Sequence, residues 1–113
     1  MTDTSLSTHV LDLTTGTPVQ GMMISLFAAG SKRTPLASAH SDDDGRIRDW
    51  GCLLTLAPGD YSLRFMTESW FADHQLDSLY HLVEIHFRIA PEGGHYHIPL
   101  LLSPFGYSTY RGS

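Results

Sequence analysis

Short runs of alternating apolar and polar residues, each closed by a turn sequence, recur along almost the whole chain. The alternation is cleanest in residues 82–89 and 95–102, and the turns carry glycine or proline, as in residues 41–45 and 91–94. A period of two places successive side chains on opposite faces of a β-strand. The pattern therefore predicts an all-β protein built from short strands joined by tight turns.

Seven or eight strands and one helix account for the patterned segments. The strand candidates are residues 6–13, 21–27, 33–40, 46–48, 61–66, 82–89, 95–102 and 107–111. Pro35 gives the third candidate an edge position or a poorly paired start, because proline lacks a backbone N–H. A helix is predicted over residues 68–75, with Thr67 or Ser69 as its N-cap. This spacing is typical of a β-sandwich, and 113 residues predict a single domain, 1–113.

Composition excludes several classes of partner. The net charge is −5 and no cluster of lysine and arginine occurs, which argues against nucleic acid and anionic membrane surfaces. No run approaches the ~18–20 apolar residues of a membrane helix, and residues 1–8 lack the basic start of a secretory signal. The single cysteine, Cys52, cannot form an intrachain disulfide, and we expect it to be a buried small side chain. Cytoplasm is the expected location.

The segment from residue 95 to residue 113 is the most informative part of the chain. Along its strand, one face carries only large apolar side chains, those of Tyr96, Ile98, Leu100 and Leu102. The opposite face is mixed and carries His95, His97, Pro99 and Leu101. The first face should point into the sandwich core, and the second should meet water or a partner subunit. By the same parity, His9 lies opposite the apolar Val10 in the first strand.

Three motifs give this chain a resemblance to a known family. Residues 6–12 read Leu-Ser-Thr-His-Val-Leu-Asp, residues 44–46 read Asp-Gly-Arg, and residues 110–113 read Tyr-Arg-Gly-Ser. Together they closely resemble the transthyretin-related 5-hydroxyisourate hydrolases. The resemblance implies a prealbumin-like (transthyretin-like) β-sandwich. It also implies a homotetramer around a central channel, with active sites in clefts at the dimer–dimer interface. We expect no cofactor and no metal.

The resemblance also implies the site and the reaction. The catalytic residues map onto His9, Arg46, His97 and Ser113, and the substrate-binding residues onto Tyr110, Arg111 and Gly112. The implied substrate is 5-hydroxyisourate, a small molecule of uric acid degradation, whose six-membered ring is opened by water to give a ureidoimidazoline carboxylate.

The residue types fit that reaction. Imidazole can act as a general base near neutral pH, so either His9 or His97 could activate the water. Arg46 offers a planar fork of donors to substrate oxygens. The hydroxyl or the α-carboxylate of Ser113 could hold a histidine tautomer or a water.

Simpler interpretations exist for single residues. His9 could be a surface or core histidine, and Arg46 could pair with a carboxylate of the neighbouring Asp42–Asp44 run. His95 and His97 could chelate Zn²⁺, although two ligands without a third are weak evidence for a metal site. The stretch Leu79-Tyr80-His81 also departs from the family, whose members commonly carry a proline before the next strand.

The alternative function is a non-catalytic carrier. In the vertebrate transthyretin branch the same fold binds hydrophobic hormones, and that branch has lysine, glutamate and threonine at the positions of His9, Arg46 and His97. A small interaction or metal module is a third interpretation, supported only by the histidine pair. The residues present here favour the hydrolase.

Overall fold

Two β-sheets pack face to face in a computed structural model that describes residues 4–31 and 33–113. Residues 1–3 of the segment considered for a secretory signal lie outside this range, as does Lys32. The elements are β1 (Thr4–Asp12), β2 (Thr17–Pro18), β3 (Met23–Ala28), β4 (Ala37–His40), β5 (Arg46–Ile47), β6 (Gly59–Phe65), α1 (Thr67–Asp73), β7 (Val83–Ile89), β8 (Gly94–Ser103) and β9 (Gly106–Thr109).

The first sheet has β1 near its centre. Its strand order is β2-β1-β8-β9, and β5 also pairs with β1. The β1–β8 pair is parallel, whereas the other pairs of this sheet are antiparallel. The second sheet has the order β4-β3-β6-β7 and is antiparallel throughout. The prediction of an all-β sandwich with one short helix is thereby confirmed.

The core lies between the two sheets and contains the face of β8 that the alternation assigned to it. Tyr96 and Ile98 are 6% exposed, and Leu100 is fully buried against side chains of both sheets. Trp50 closes the core at one side, where its indole N–H donates to the carbonyl of Leu6 at 2.9 Å. Burial of such apolar surface is the main force that holds the sheets together.

The strands differ from the prediction in number and bounds. Nine strands occur in the described residues instead of seven or eight, because β2 pairs with the end of β1 where the sequence indicates only a turn. The strand expected over residues 33–40 begins at Ala37 and is an edge strand, as Pro35 indicates. β2 has only two residues, too few to show a period of two, so the alternation in the sequence does not predict it.

Two local predictions were wrong. The helix begins at Thr67 without a side-chain cap, and the Thr67 hydroxyl instead donates to the carbonyl of Tyr80 at 3.3 Å. Cys52 is exposed rather than buried, because the loop that carries it leaves the core directly after Trp50. In the described part of the chain, no helix is long and apolar enough to cross a membrane.

The turn that precedes β5 sets the position of Arg46. The carboxylate of Asp42 accepts the backbone N–H groups of Asp44 and Arg46, both at 2.9 Å, and its own N–H donates to the carbonyl of Arg46. Gly45 adopts a positive φ of 76° within this turn, and its carbonyl accepts the N–H of Val10 at 2.8 Å. The turn is therefore fastened to β1.

Substitution of Gly45 by alanine should destabilise the protein more than the same change at Gly16. Both glycines have positive φ, which costs an L-residue about 1–2 kcal/mol. A Cβ at Gly45 would also lie 2.5 Å from the carbonyl oxygen of Val10, whereas one at Gly16 meets nothing within 4 Å. Overpacking of this kind adds about 1–3 kcal/mol. Urea unfolding of both variants measures the difference, and equal midpoints would show that the turn tolerates the clash.

Candidate active site

The predicted catalytic residues converge on the outer face of the first sheet, around β1. In the parallel β1–β8 register Ser7 is paired with His97, and in the antiparallel β1–β5 register His9 is paired with Arg46. Ser7 and His9 are two residues apart and share a face. Three strands that are distant in sequence thus bring two imidazoles and a guanidinium together.

A cleft of about 310 Å³ opens at this place. It is lined by Ser5, Leu6, Ser7, Thr8, Arg46, Arg48, His95, His97 and Ser113. Three of the four predicted catalytic residues, Arg46, His97 and Ser113, are therefore in its wall. His9 is not in the lining, but it lies beside Arg46 at the edge of the cleft.

His97 is held on two sides. Its Nδ1 lies 2.7 Å from the hydroxyl oxygen of Ser7, and its carbonyl accepts the backbone N–H of Gly112 at 2.7 Å. Gly112 passes so close over the ring that a Cβ at this position would clash with Cδ2 of His97. In the described residues, Nε2 of His97 has no hydrogen-bond partner, so it is the nitrogen left for the cleft.

Both imidazoles of the site are kept in their neutral form. Partial burial lowers the pKa of His97, and the charge of Arg46 lowers it further, with smaller contributions from His9, His95 and Arg48. Partial burial and then Arg46 also lower the pKa of His9, opposed by the backbone carbonyl of Asp44. At neutral pH each ring therefore has an unprotonated nitrogen, which is the state that a general base requires.

Arg46 and Arg48 bring two guanidinium groups to the wall of the cleft. The ion pairs in the described part of the chain are Arg64–Glu84 and Arg88–Asp60, on the second sheet, and they involve neither arginine of the cleft. The neighbouring Asp42 uses its carboxylate for backbone N–H groups instead. In the structure, Arg46 therefore forms no ion pair with the Asp42–Asp44 run. Two guanidinium groups are available to an anionic ligand.

Substitution of Arg46 by glutamine should raise the pKa of both His9 and His97. The guanidinium charge is the second-largest cause of both lowered values, and burial, the largest cause, stays in place. Both pKa values should therefore move towards the ordinary value without reaching it. Histidine titration by NMR measures the shift, with Arg88→Gln on the second sheet as the matched control. Unchanged titration of both rings would contradict the proximity of Arg46.

The last residues divide between two surfaces. Gly112 and Ser113 lie at the cleft, whereas Tyr110 and Arg111 line a neighbouring groove of about 310 Å³. The guanidinium carbon of Arg111 lies 4.4 Å from the centre of the Tyr96 ring, a cation–π contact. Tyr110 is 57% exposed. Substrate binding by Tyr110, Arg111 and Gly112 stays a prediction, and the contact of Gly112 is with His97.

The sequence interpretation assigns no role to the cleft residues Ser7 and Arg48, and it considers His95 only as a possible Zn²⁺ ligand. Arg48 could have been found by strand parity, because it follows Arg46 by two residues. Ser7 shares the parity of His9, but its significance depends on the pairing of β1 with β8. That pairing joins residues about ninety positions apart in the sequence, and no local pattern encodes it.

The structure also bears on the metal interpretation of His95 and His97. Within the described residues, no group of three or more histidine, cysteine, aspartate or glutamate side chains is placed to hold a metal ion. Both ring nitrogens of His95 face hydroxyls, with Nδ1 2.6 Å from the oxygen of Ser5 and Nε2 3.3 Å from that of Ser7. The contacts of this ring are therefore those of a hydrogen-bond network.

Comparison with known proteins places the chain in a family. The model of the HIUase/Transthyretin family matches residues 6–112. A 5-hydroxyisourate hydrolase of Salmonella typhimurium is 42% identical over 109 residues, which cover 96% of this chain and 80% of that protein.

Solved structures agree with the sequence comparison. That of Klebsiella pneumoniae 5-hydroxyisourate hydrolase superimposes with a TM-score of 0.85 at 39% identity, covering 97% of this chain and 94% of the other. Sea bream transthyretin in complex with thyroxine superimposes with a TM-score of 0.86 at 28% identity, covering 96% and 94%. The chain belongs to the HIUase/Transthyretin family.

Proposed function

We propose that this protein is a 5-hydroxyisourate hydrolase, which opens the six-membered ring of its substrate with water. The observation that carries the proposal is the convergence of His97, Arg46 and Ser113 in one cleft, with His9 at its edge. The relatives from Salmonella and Klebsiella, which are about 40% identical over nearly the whole chain, carry this name.

His97 is the general base in this proposal. Its Nδ1 is occupied by Ser7, whereas its Nε2 has no hydrogen-bond partner among the described residues. His97 lines the cleft, where a water between its imidazole and the substrate carbonyl would lie. The lowered pKa keeps the imidazole of His97 neutral at neutral pH, so one of its two nitrogens is unprotonated. His97 takes one proton as the water oxygen adds to the carbonyl carbon, and it can return that proton to the ring nitrogen that leaves. No side chain forms a covalent bond with the substrate in this scheme.

Arg46 and Arg48 stabilise the negative charge that develops on the substrate. Addition of water turns a carbonyl oxygen into an oxyanion, and the final product is a carboxylate. Guanidinium groups that are not already paired with carboxylates can donate to both species, and they do so more strongly in a partly desolvated cleft. Ser113 adds a hydroxyl to the wall of the same cleft.

His9 supports the reaction from the side of Arg46. Its pairing with Arg46 places the imidazole next to the guanidinium, and the backbone carbonyl of Asp44 interacts with the ring. We propose that His9 orients the substrate or a second water rather than acting as the primary base, because it does not line the cleft. This assigns different tasks to the two histidines.

The carrier function is the second candidate, since sea bream transthyretin shares the fold. It predicts an apolar site, whereas the cleft here is lined by serines, histidines and arginines. The family resemblance also implies lysine, glutamate and threonine in the transthyretin branch at the positions of His9, Arg46 and His97. The chemistry of the lining therefore supports catalysis over storage of a hydrophobic hormone.

Assembly and location are parts of the same proposal. We propose one domain spanning residues 1–113 and a homotetramer of roughly four times the 12.5 kDa chain. Leu101 on the outer face of β8 is only half-buried, so a partner subunit could cover it, whereas Pro99 on the same face is already buried within the chain. Light scattering tests the tetramer, and a fully active monomer would contradict it. The exposed free thiol of Cys52 fits a reducing compartment, which supports the cytoplasm.

Decay of freshly prepared 5-hydroxyisourate with purified protein tests the function. We expect the decay rate to rise in proportion to enzyme concentration and to continue over many turnovers per subunit. A carrier would instead bind thyroxine or a similar apolar ligand in stoichiometric amounts and leave the decay rate at its uncatalysed value. Ligand binding without any increase in the decay rate would contradict the hydrolase proposal and support the carrier function.

A further inference from the structure

Ser7 lies between two histidines, and its hydroxyl touches both. Its oxygen is 2.7 Å from Nδ1 of His97 and 3.3 Å from Nε2 of His95. The other nitrogen of His95, Nδ1, lies 2.6 Å from the hydroxyl oxygen of Ser5. The four side chains thus form a continuous row from the part-buried His97 to the exposed Ser5.

The row follows directly from the parallel register of β1 and β8. Ser5 is paired with His95 and Ser7 with His97, so each hydroxyl has an imidazole beside it on the neighbouring strand. The two imidazole rings are almost parallel, with an angle of 11° and a centroid distance of 6.4 Å. Ser7 is 7% exposed, which leaves its hydroxyl few alternative partners in water.

Proton counting couples the two rings through Ser7. A hydroxyl has one proton to donate and lone pairs to accept with, and a neutral imidazole has one N–H and one bare nitrogen. If Nδ1 of His97 and Nε2 of His95 were both unprotonated, only one of them could accept the single proton of Ser7. If both carried a proton, neither could accept the proton of Ser7. The row is satisfied when one ring donates to Ser7 and Ser7 donates to the other. The tautomer of His97 is therefore linked to that of His95.

We propose that Ser7 and His95 are positioning residues that hold His97 in its Nδ1–H tautomer. In this arrangement Nδ1–H of His97 donates to Ser7, and Ser7 donates to Nε2 of His95. Nδ1–H of His95 then donates to Ser5. Nε2 of His97 is then left bare, and His97 lines the cleft, where a base must have its lone pair. The inference rests on the proposed function for its kinetic consequence, but the tautomer itself is a property of the protein alone.

The first test is spectroscopic and needs no substrate. Correlation spectra of ¹⁵N-labelled wild-type protein distinguish Nδ1–H from Nε2–H imidazoles, and we expect both His95 and His97 to be Nδ1–H. In Ser7→Ala, the coupling is lost, and His97 should shift towards the Nε2–H form. Ser38→Ala is the matched control, because it likewise removes a hydrogen-bonded serine hydroxyl, but one that lies on the second sheet and bonds to Ser25.

The second test is kinetic. Ser7→Ala should lower kcat about 10–10²-fold, less than loss of the imidazole itself, while KM changes by less than about threefold. Ser7→Thr keeps a hydroxyl and should recover most of the lost kcat. His95→Ala removes only the outer partner of Ser7, so its effect should have the same direction and a smaller size.

The two tests have outcomes that would contradict the inference about Ser7. A wild-type His97 that is mainly Nε2–H would overturn the inference, and so would an equal loss of kcat in Ser7→Ala and Ser7→Thr, which would indicate packing rather than hydrogen bonding. If the protein does not turn over 5-hydroxyisourate, the proposed function fails. The spectra still show whether Ser7 sets the tautomer, so the two failures can be told apart.

Discussion

Replacing His97 with alanine is expected to lower kcat/KM by about 10²–10⁴-fold, the usual consequence of losing a general base. His97 lines the cleft, and its pKa is lowered by burial and by Arg46, so its neutral imidazole can accept a proton at neutral pH. The main effect should be on kcat, because the base acts in the transition state rather than in substrate binding.

The matched control for this change is His86→Ala. His86 is exposed on the outer face of the second sheet, away from the cleft, so its removal should leave kcat and KM within about twofold of wild type. Circular dichroism and the unfolding midpoint serve to check that both variants fold. A change of less than threefold in His97→Ala would show that the base lies elsewhere, with His9 as the next candidate.

Replacing Gly112 with alanine is expected to lower kcat/KM by about 10²-fold, although the substitution removes no polar group. The added Cβ would occupy the space of the His97 ring, contacting Cδ2, Cγ and Cβ. Either the ring must turn away from the hydroxyl of Ser7, or the terminal segment must leave β8 and break the Gly112–His97 backbone hydrogen bond. Misplacement of a catalytic group by about 1 Å is enough for a loss of this size.

Gly106→Ala is the control for the terminal segment. A Cβ at Gly106 would meet only the hydroxyl of Ser103, at an ordinary contact distance of 3.8 Å. This variant should keep wild-type kinetics and stability. If Gly112→Ala is equally active, the close approach of the chain to His97 has no part in positioning the ring.

The sequence predicts the faces of the strands better than their neighbours. Alternation in residues 95–102 assigns Tyr96 and Leu100 to the core and His97 to the opposite face, and the structure confirms all three. A period of two is a local property, so it can be recognised without knowing which strands pair. The alternation and the turn spacing also predict an all-β sandwich, whereas the transthyretin-like strand order and the convergence of His97 with Arg46 follow from the family motifs.

What the sequence does not predict depends on contacts between distant segments. Ser7 is an ordinary polar residue of an outward face until the parallel register sets it beside His97. Arg48 belongs to the cleft because the chain after β5 continues along β1, whereas Cys52 is exposed because the same segment then turns into solvent. These outcomes are decided by tertiary packing, which overrides local preference.

The pH dependence of kcat/KM, compared with the NMR titration of His97 in the same protein, tests the central claim most directly. A general base is active when unprotonated, and the pKa of His97 is lowered, so activity should fall with a midpoint below the ordinary histidine pKa of about 6.5. It should decline, by about tenfold per pH unit, only below the lowered value. The account predicts that the midpoint of this decline coincides with the titration midpoint of His97. A decline centred at a different pH from the His97 titration, or no enzyme-dependent rate at any pH, would contradict it.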